Sequence, residues 1–197
     1  DSSEEMLAKA RRDHPSIEWK LADISRFSPT SKGNLIFSNA ALHWLDDHEN
    51  LFPNLLKQLR PGGVLAVQMP NNFSAPSHQN LYDLAQSPEW VDRLGPLVRP
   101  APVHNINWYF DLLSPLAEKV NIWETTYFQV LKGKDAVLEW TRGTALRPFL
   151  AELDAAEAEV VESQYAESLL ESYPLRQDDA TLYPFSRLFI VVQLPEE

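Results

Sequence analysis

The chain predicts an α/β fold, a doubly wound and mostly parallel sheet with helical cap insertions, and two observations carry that expectation. Apolar runs of strand length alternate with helical patterns along the chain, the arrangement that crossover helices between parallel strands produce. The block from Asn34 to Pro70 also reads as strand, loop, helix, turn and strand. It has an apolar run ending in Ser38-Asn39-Ala40-Ala41, a helical stretch, the stop Pro61-Gly62-Gly63, and a second apolar run from Val64 to Met69. In open α/β sheets the carboxyl ends of the strands border the ligand crevice, so a strand that ends in small polar residues marks a binding region.

Each element has its own local reason. Ser2 and Ser3 precede Glu4-Glu5-Met6-Leu7, an N-cap followed by acidic residues in the first turn, and His14-Pro15 ends this helix near Asp13. Ile17 to Leu21 alternates as a strand and runs into Ala22-Asp23-Ile24. After a turn from Ser28 to Gly33 come the strand Leu35 to Ser38 and a helix from about His48 to Leu59. Between Asn71 and Asn107 the pattern is broken by Pro76, Pro88, Pro96, Pro100 and Pro102, with one helix from Ser77 to about Ala85. Trp108 to Ala117 reads as helix, Val120 to Thr126 and Tyr127 to Leu131 as two strands, and Lys134 to Thr144 and Ala155 to Ser172 as helices. Leu188 to Leu194 is the final strand. A chain of 197 residues organised this way fits one domain, 1–197, in which insertions at 71–107 and 133–186 form a helical cap.

Composition narrows the function. A formal charge of -11 argues against nucleic acid as partner, because phosphate-backbone binding needs clustered Lys and Arg. A small polyanion remains compatible where a few Arg side chains converge. No apolar run is long enough for a membrane span. The absence of Cys removes disulfides, thiolate metal sites and Cys nucleophiles, which fits the cytoplasm. His14 and His104 have no ligand spacing, and Asp46-Asp47-His48-Glu49 is a solvated helix start, so no metal is expected.

The segment Ser38-Asn39-Ala40-Ala41-Leu42-His43-Trp44-Leu45 and the strand entry Leu59-Arg60-Pro61-Gly62-Gly63 resemble the fourth and fifth strands of class I S-adenosylmethionine-dependent methyltransferases. Within that Rossmann-like superfamily the wording is closest to the trans-aconitate methyltransferase family. The supporting strings are Val64-Leu65-Ala66-Val67-Gln68-Met69-Pro70, Asn121-Ile122-Trp123-Glu124-Thr125-Thr126-Tyr127, Leu146-Arg147-Pro148-Phe149 and Arg187-Leu188-Phe189-Ile190-Val191. Nothing matches that family's opening strands and Gly-rich loop, and Asp1-Ser2-Ser3 resembles its junction after strand two. The resemblance therefore implies an N-terminally truncated methyltransferase.

The resemblance also assigns roles. It places Asp1 on the ribose hydroxyls of S-adenosylmethionine, Asp23 on the adenine amino group with Ile24 against the ring, and Asn39, Ala40, His43 and Trp44 around the methionyl part and the transfer site. A plain N-cap at Asp1, a turn-forming Asp23, a core Trp44 and a surface His43 are the alternatives. The acceptor it implies is trans-aconitate or a similar small polycarboxylate, methylated on a carboxylate that is already ionised. No general base is then required, and His43 is the one catalytic candidate. Forked cationic donors would hold the other carboxylates, with Arg147 first, and Arg142, Arg187, Asn72, His78 and Tyr109 are weaker candidates around the same cap. For each Arg except Arg147 a surface salt bridge is the plainer role. Other readings remain open at this stage: a class I methyltransferase acting on another small molecule, a nucleotide-dependent oxidoreductase, which shares the doubly wound sheet, and a non-catalytic binding protein that keeps the methyltransferase fold.

Overall fold

The computed structural model describes residues 1–99 and 101–197, so the break at Pro100 lies outside the described residues. The elements run α1 (Glu4–Asp13), β1 (Gly33–Asn39), α2 (His48–Lys57), β2 (Leu59–Pro70), α3 (Pro76–Ala85), α4 (Val91–Leu94), α5 (Ile106–Leu113), β3 (Lys119–Lys132), α6 (Ala136–Arg142), α7 (Arg147–Leu150), α8 (Ala155–Ser172) and β4 (Ala180–Gln193). The strands pair in the order β1-β2-β4-β3. Gly33 N donates to Gln58 O where both strands begin, so β1 and β2 run parallel through the α2 crossover. β4 runs antiparallel to both of its neighbours. Leu194 N donates to Gly63 O on the β2 side, and Glu118 N to Gln193 O and Gly133 N to Asp179 O on the β3 side. The other three described strands share one direction, the mixed sheet of an α/β fold.

Local chemistry sets most boundaries. Ser3 caps α1 by accepting from Met6 N, and Glu4 and Glu5 occupy its first turn. Asn105 caps α5 by accepting from Trp108 N, so that helix starts before the expected Trp108. It stops at Leu113 because Ser114-Pro115 continues only as a 3-10 turn, proline lacking the N–H. α8 spans the predicted residues and opens on a reciprocal cap, Asp154 accepting from Ala156 N and Glu157 N while Glu157 accepts from Asp154 N.

Three strand expectations need correction. Ile17 to Leu21 is not a strand: Ile17 and Leu21 are about half exposed, and across from it stands only Asp1, whose N donates to Lys20 O at 3.4 Å and whose O accepts from Ala22 N at 2.9 Å, instead of a ladder. The two strands expected at Val120–Thr126 and Tyr127–Leu131 are one, because no turn-forming residue separates Thr126 from Tyr127. Pro61-Gly62-Gly63 lies inside β2 and is not a helix stop. Gly62 has φ +71° and donates to Pro195 O at 2.7 Å, and a Cβ on Gly63 would sit 2.8 Å from Arg60 O. The helix before it ends at Lys57, and β4 starts at Ala180, earlier than the predicted Leu188.

The chain divides into two compact units, the first comprising 1–67, 105–121 and 190–197, the second 68–104 and 122–189. In the first, Phe52, Leu55 and Leu56 of α2, Leu65 and Val67 of β2, and Tyr109 and Leu113 of α5 are buried. The second has a core of Leu81, Ala85, Trp90, Leu94, Val137, Leu138, Leu146, Phe149, Val161, Tyr165, Leu169, Tyr173 and Tyr183. Ser77, at the start of α3, is the polar hub of that unit. Tyr165 OH donates to its carbonyl at 2.6 Å, its N–H donates to Tyr173 OH at 3.0 Å, and its Oγ meets Tyr183 OH at 3.1 Å. Burial pushes the Tyr165 and Tyr183 hydroxyls above the ordinary tyrosine pKa, so these two partners stay neutral donors and acceptors.

Asp154→Ala removes both cap bonds of α8 and should lower stability by about 1 kcal/mol, within the range for lost N-caps. Urea unfolding checks this, and Asp178→Ala, in an exposed pair, should stay within about 0.5 kcal/mol of the parent.

Candidate functional site

In the first unit the two acids implicated in cofactor binding are drawn together. The rung from Ala22 N to Asp1 O sets the chain before Asp23 beside Asp1. Asp1 Oδ1 accepts from Ser3 N at 2.8 Å in a turn ahead of α1, whereas the N-cap considered as its alternative role falls to Ser3. Asp23 Oδ1 accepts from both Ser25 N at 2.9 Å and Ser25 Oγ at 2.7 Å. Those two bonds, the side-chain one first, hold its carboxyl below the ordinary aspartate pKa. Oδ1 therefore forms the turn, while Oδ2 lies 4.0 Å from Arg26 Nε on the exposed side. Ile24 is half-buried at the edge of an open hollow bordered by Leu51, Asn54 and Leu55 of α2.

At the carboxyl end of β1 the backbone is strained. Asn39 and Ala40 are exposed, and Ala40 has φ +51°, the left-handed region that costs a residue with a Cβ roughly 1–2 kcal/mol. The chain turns there into the short 3-10 segment Leu42–Trp44. Its Leu42 is buried, His43 is 8% exposed and Trp44 is 64% exposed, with the two rings 4.7 Å apart. The core alternative for Trp44 does not hold, and His43, expected at the surface in the alternative, is buried. Tyr109 is corrected as well. It is fully buried, its hydroxyl meets His48 Nδ1 at 2.6 Å, and its ring packs on Phe52, which makes it a core residue and closes it to a ligand.

The second unit holds the remaining candidates, and the structure separates them. Arg142 is neutralised by two carboxylates: its Nε and Nη2 donate to Glu162 and its Nη1 to Glu139. Asn72 is spent on backbone, its Oδ1 accepting from Ser186 N at 2.8 Å and its Nδ2 donating to Ser186 O at 3.2 Å. Both side chains are engaged within the fold, Arg142 with its charge met by two glutamates and Asn72 buried on the backbone of Ser186. Arg147 is exposed at the first residue of α7. His78 is half-buried between the rings of Phe73 and Tyr82, and desolvation holds its imidazole below the ordinary histidine pKa.

Arg187 is different. Its guanidinium lies over Phe185 at 5.3 Å and Tyr127 at 5.8 Å, and Nη1 donates to Gln68 Oε1 at 3.2 Å. Gln68 is 5% exposed, and its Nε2 is buried without a partner among the described residues, a penalty of about 1–3 kcal/mol. Sequence reasoning missed Gln68, Tyr127 and Phe185. The available signal was a lone amide inside the apolar strand Val64 to Met69. Among the described residues no group of three or more His, Asp or Glu could hold a metal ion, and no helix is long and apolar enough to cross a membrane.

A parallel strand pair with a strained small-residue turn at its carboxyl end, acids at the neighbouring loops and an antiparallel strand in the sheet fit a class I methyltransferase, the class that the comparisons with known proteins give. The family model described as "Methyltransferase domain" matches residues 1–67. A protein of Bacillus halodurans C-125, solved and assigned as a methyltransferase, superposes with a TM-score of 0.56 at 11% identity over 98% of this chain and 80% of that one. That likeness is one of fold.

Closer relatives are the trans-aconitate 2-methyltransferase of Azoarcus sp. strain BH72, 44% identical over 97% of this chain and 75% of the relative, and that of Yersinia pseudotuberculosis strain IP 31758, 43% identical over 97% and 74%. The chain belongs to the trans-aconitate 2-methyltransferase family.

Two outcomes follow from the strained turn and the buried imidazole. Ala40→Gly should hold or raise stability by up to about 1 kcal/mol, while Ala40→Val should lower it, both read from urea midpoints. His78 has a depressed pKa when folded, so its contribution is present above its unfolded pKa near 6.5 and is lost as pH falls below that toward the folded value. His78→Gln should flatten this part of the fall in Tm between pH 7.5 and 5.

Proposed function

We propose that the protein methylates a carboxylate of trans-aconitate or a similar small polycarboxylate, with S-adenosylmethionine as donor. The observation that carries this reading is the family membership, extending over nearly the whole chain at more than two-fifths identity. The residues at the strand ends fit the donor. Asp23 presents Oδ2 outward while Ser25 fixes Oδ1, Asp1 stands across a backbone rung, and Ala40 turns sharply with no bulk beyond Cβ. In this reading Asp1 and Asp23 hold the ribose and adenine, Ile24 packs on the base, and Asn39 and Ala40 admit the methionyl end. His43 and Trp44 wall that end.

S-adenosylmethionine supplies, when bound, an electrophilic methyl group on a sulfonium. A carboxylate acceptor is ionised at neutral pH, so this chain's side chains need neither abstract nor relay a proton. Their work is alignment and exclusion of water, which concentrate the acceptor oxygen against the methyl. That leaves binding as the chain's task on the acceptor side, where, of the three arginines expected there, Arg147 and Arg187 have no carboxylate partner among the described residues while Arg142 has two. With a net charge of -11, local cationic groups of this kind are needed to admit a polyanion. The segments 71–107 and 133–186 serve in this reading as the acceptor-side cap, and the chain works without nucleic acid or membrane, in the cytoplasm.

Transfer of label from methyl-labelled S-adenosylmethionine to trans-aconitate, with the methyl ester identified by mass spectrometry, tests the reading, and no ester from any small polycarboxylate would end it. Asp23→Ala should raise the donor's Kd by the equivalent of about 1.5–3 kcal/mol, the typical worth of a hydrogen bond to a charged group, and leave acceptor affinity nearly unchanged. An unchanged donor Kd would leave Asp23 as a turn-former only.

A further inference from the structure

We propose that Arg187 is a carboxylate-binding site and that Gln68 is its positioning residue, together gripping a carboxylate of the acceptor that is not methylated. The inference rests on the functional reading above for the identity of the acceptor. The geometry itself stands apart from that reading.

Arg187 is half-buried on β4, and its guanidinium contacts among the described residues are neutral: Gln68 Oε1 and the rings of Phe185 and Tyr127. A guanidinium this far from full solvation ordinarily finds a carboxylate, as Arg142 does with Glu139 and Glu162. Arg187 finds an amide and two ring faces. The amide bond falls on Nη1, and no bond to Nε or Nη2 occurs among the described residues. The edge left is Nε–Nη2, the fork that takes a carboxylate side-on through two parallel N–H···O bonds. The rings limit tilting of the guanidinium, so little orientational freedom remains to be lost on binding.

Gln68 explains why the cost of its own burial is tolerated. Its Nε2 is buried without a partner among the described residues, so its side chain is not there for stability. Its Oε1 accepts from Arg187 without neutralising it, which a Glu at the same place would do. A neutral acceptor is the choice that orients an arginine and leaves its charge for a ligand.

The grip distinguishes acceptors. In a polycarboxylate one carboxylate receives the methyl and another can fill the fork, whereas a monocarboxylate has nothing to spare for it. The test uses trans-aconitate and crotonate, an unsaturated monocarboxylate, in titration calorimetry and in methyl-transfer kinetics with the intact protein, Arg187→Lys and Gln68→Met. Both variants should weaken trans-aconitate by about tenfold or more in Kd and in kcat/KM and change crotonate by less than about twofold. Gln68→Met should melt no lower than the parent, since it removes an unpartnered buried amide; a purely structural Gln68 would instead lower Tm and affect both acceptors alike. Equal losses on the two acceptors, no loss on either, or no carboxylate binding by the parent would overturn the site. A selective loss in Arg187→Lys with Gln68→Met unchanged would overturn the positioning role of Gln68. The two readings fail separately: Arg187-dependent binding of trans-aconitate without methyl transfer overturns the function, and methyl transfer indifferent to both variants overturns the site.

Discussion

The pairing of β2 with β4 is the constraint on which the chemistry of the second unit depends, and one side chain pins it where β2 ends. Asn72 clasps Ser186 from both sides, accepting from its N–H and donating to its carbonyl, while Asn71 N donates to the same carbonyl at 2.9 Å. The ladder is thereby stitched just past the end of β2, where it would otherwise fray. Side chains alternate faces with a period of two, so a slip of one residue would turn Arg187 away from Gln68 and expose Leu188 in its place. The same register sets Thr126 Oγ1 2.9 Å from Ser186 Oγ and stacks Trp123 on Phe189 at 5.0 Å with an angle of 4° between the rings. An amide that looked like a ligand for the substrate is the pin that sets the row of aromatic and cationic groups beside it.

Within the second unit the apolar core and this polar row have different tasks. Packing of α3 with α8 buries Leu81, Ala85, Val161, Tyr165 and Leu169, and the tyrosine hydroxyls that enter with the rings converge on Ser77. Each is satisfied there, as a dry interior requires. Around Arg187 satisfaction is incomplete: Gln68 Nε2 has no partner among the described residues. A chain that closes one buried polar network fully and leaves another open is separating stability from binding, and strain at Ala40 in the first unit follows the same pattern.

Much of the fold was legible from local rules. Capping chemistry and acidic first turns marked α1, the Pro-interrupted stretch and α8 were read from composition and periodicity, and the strand–helix–strand block from Asn34 to Pro70 pointed to a parallel pair. Where the reading failed, the deciding partner was distant in sequence. Ile17 to Leu21 alternates as a strand should, yet alternation gives only a face, and a strand also needs a neighbour to accept its ladder. β2 reaches back through Pro61-Gly62-Gly63 because residues near Pro195 bond there, a pairing that no local window contains.

The candidate site divides along the same line. The strand end with small polar residues at Ser38 to Ala41 was a local feature, whereas the roles of Asp1, Asp23, Asn39, Ala40, His43 and Trp44 came from the family resemblance, and the structure draws Asp1 toward the chain before Asp23. The order of the arginines, Arg147 first, came from the resemblance, and the sequence had no view of their partners. Arg142, Arg147 and Arg187 carry the same charge and donors, and only tertiary contacts reveal that the first is neutralised by Glu139 and Glu162, the second is exposed, and the third is held between rings by a buried amide. The chemistry a side chain can perform is written in its type. The chemistry left for it to perform is decided by which of its donors the folded chain has already used.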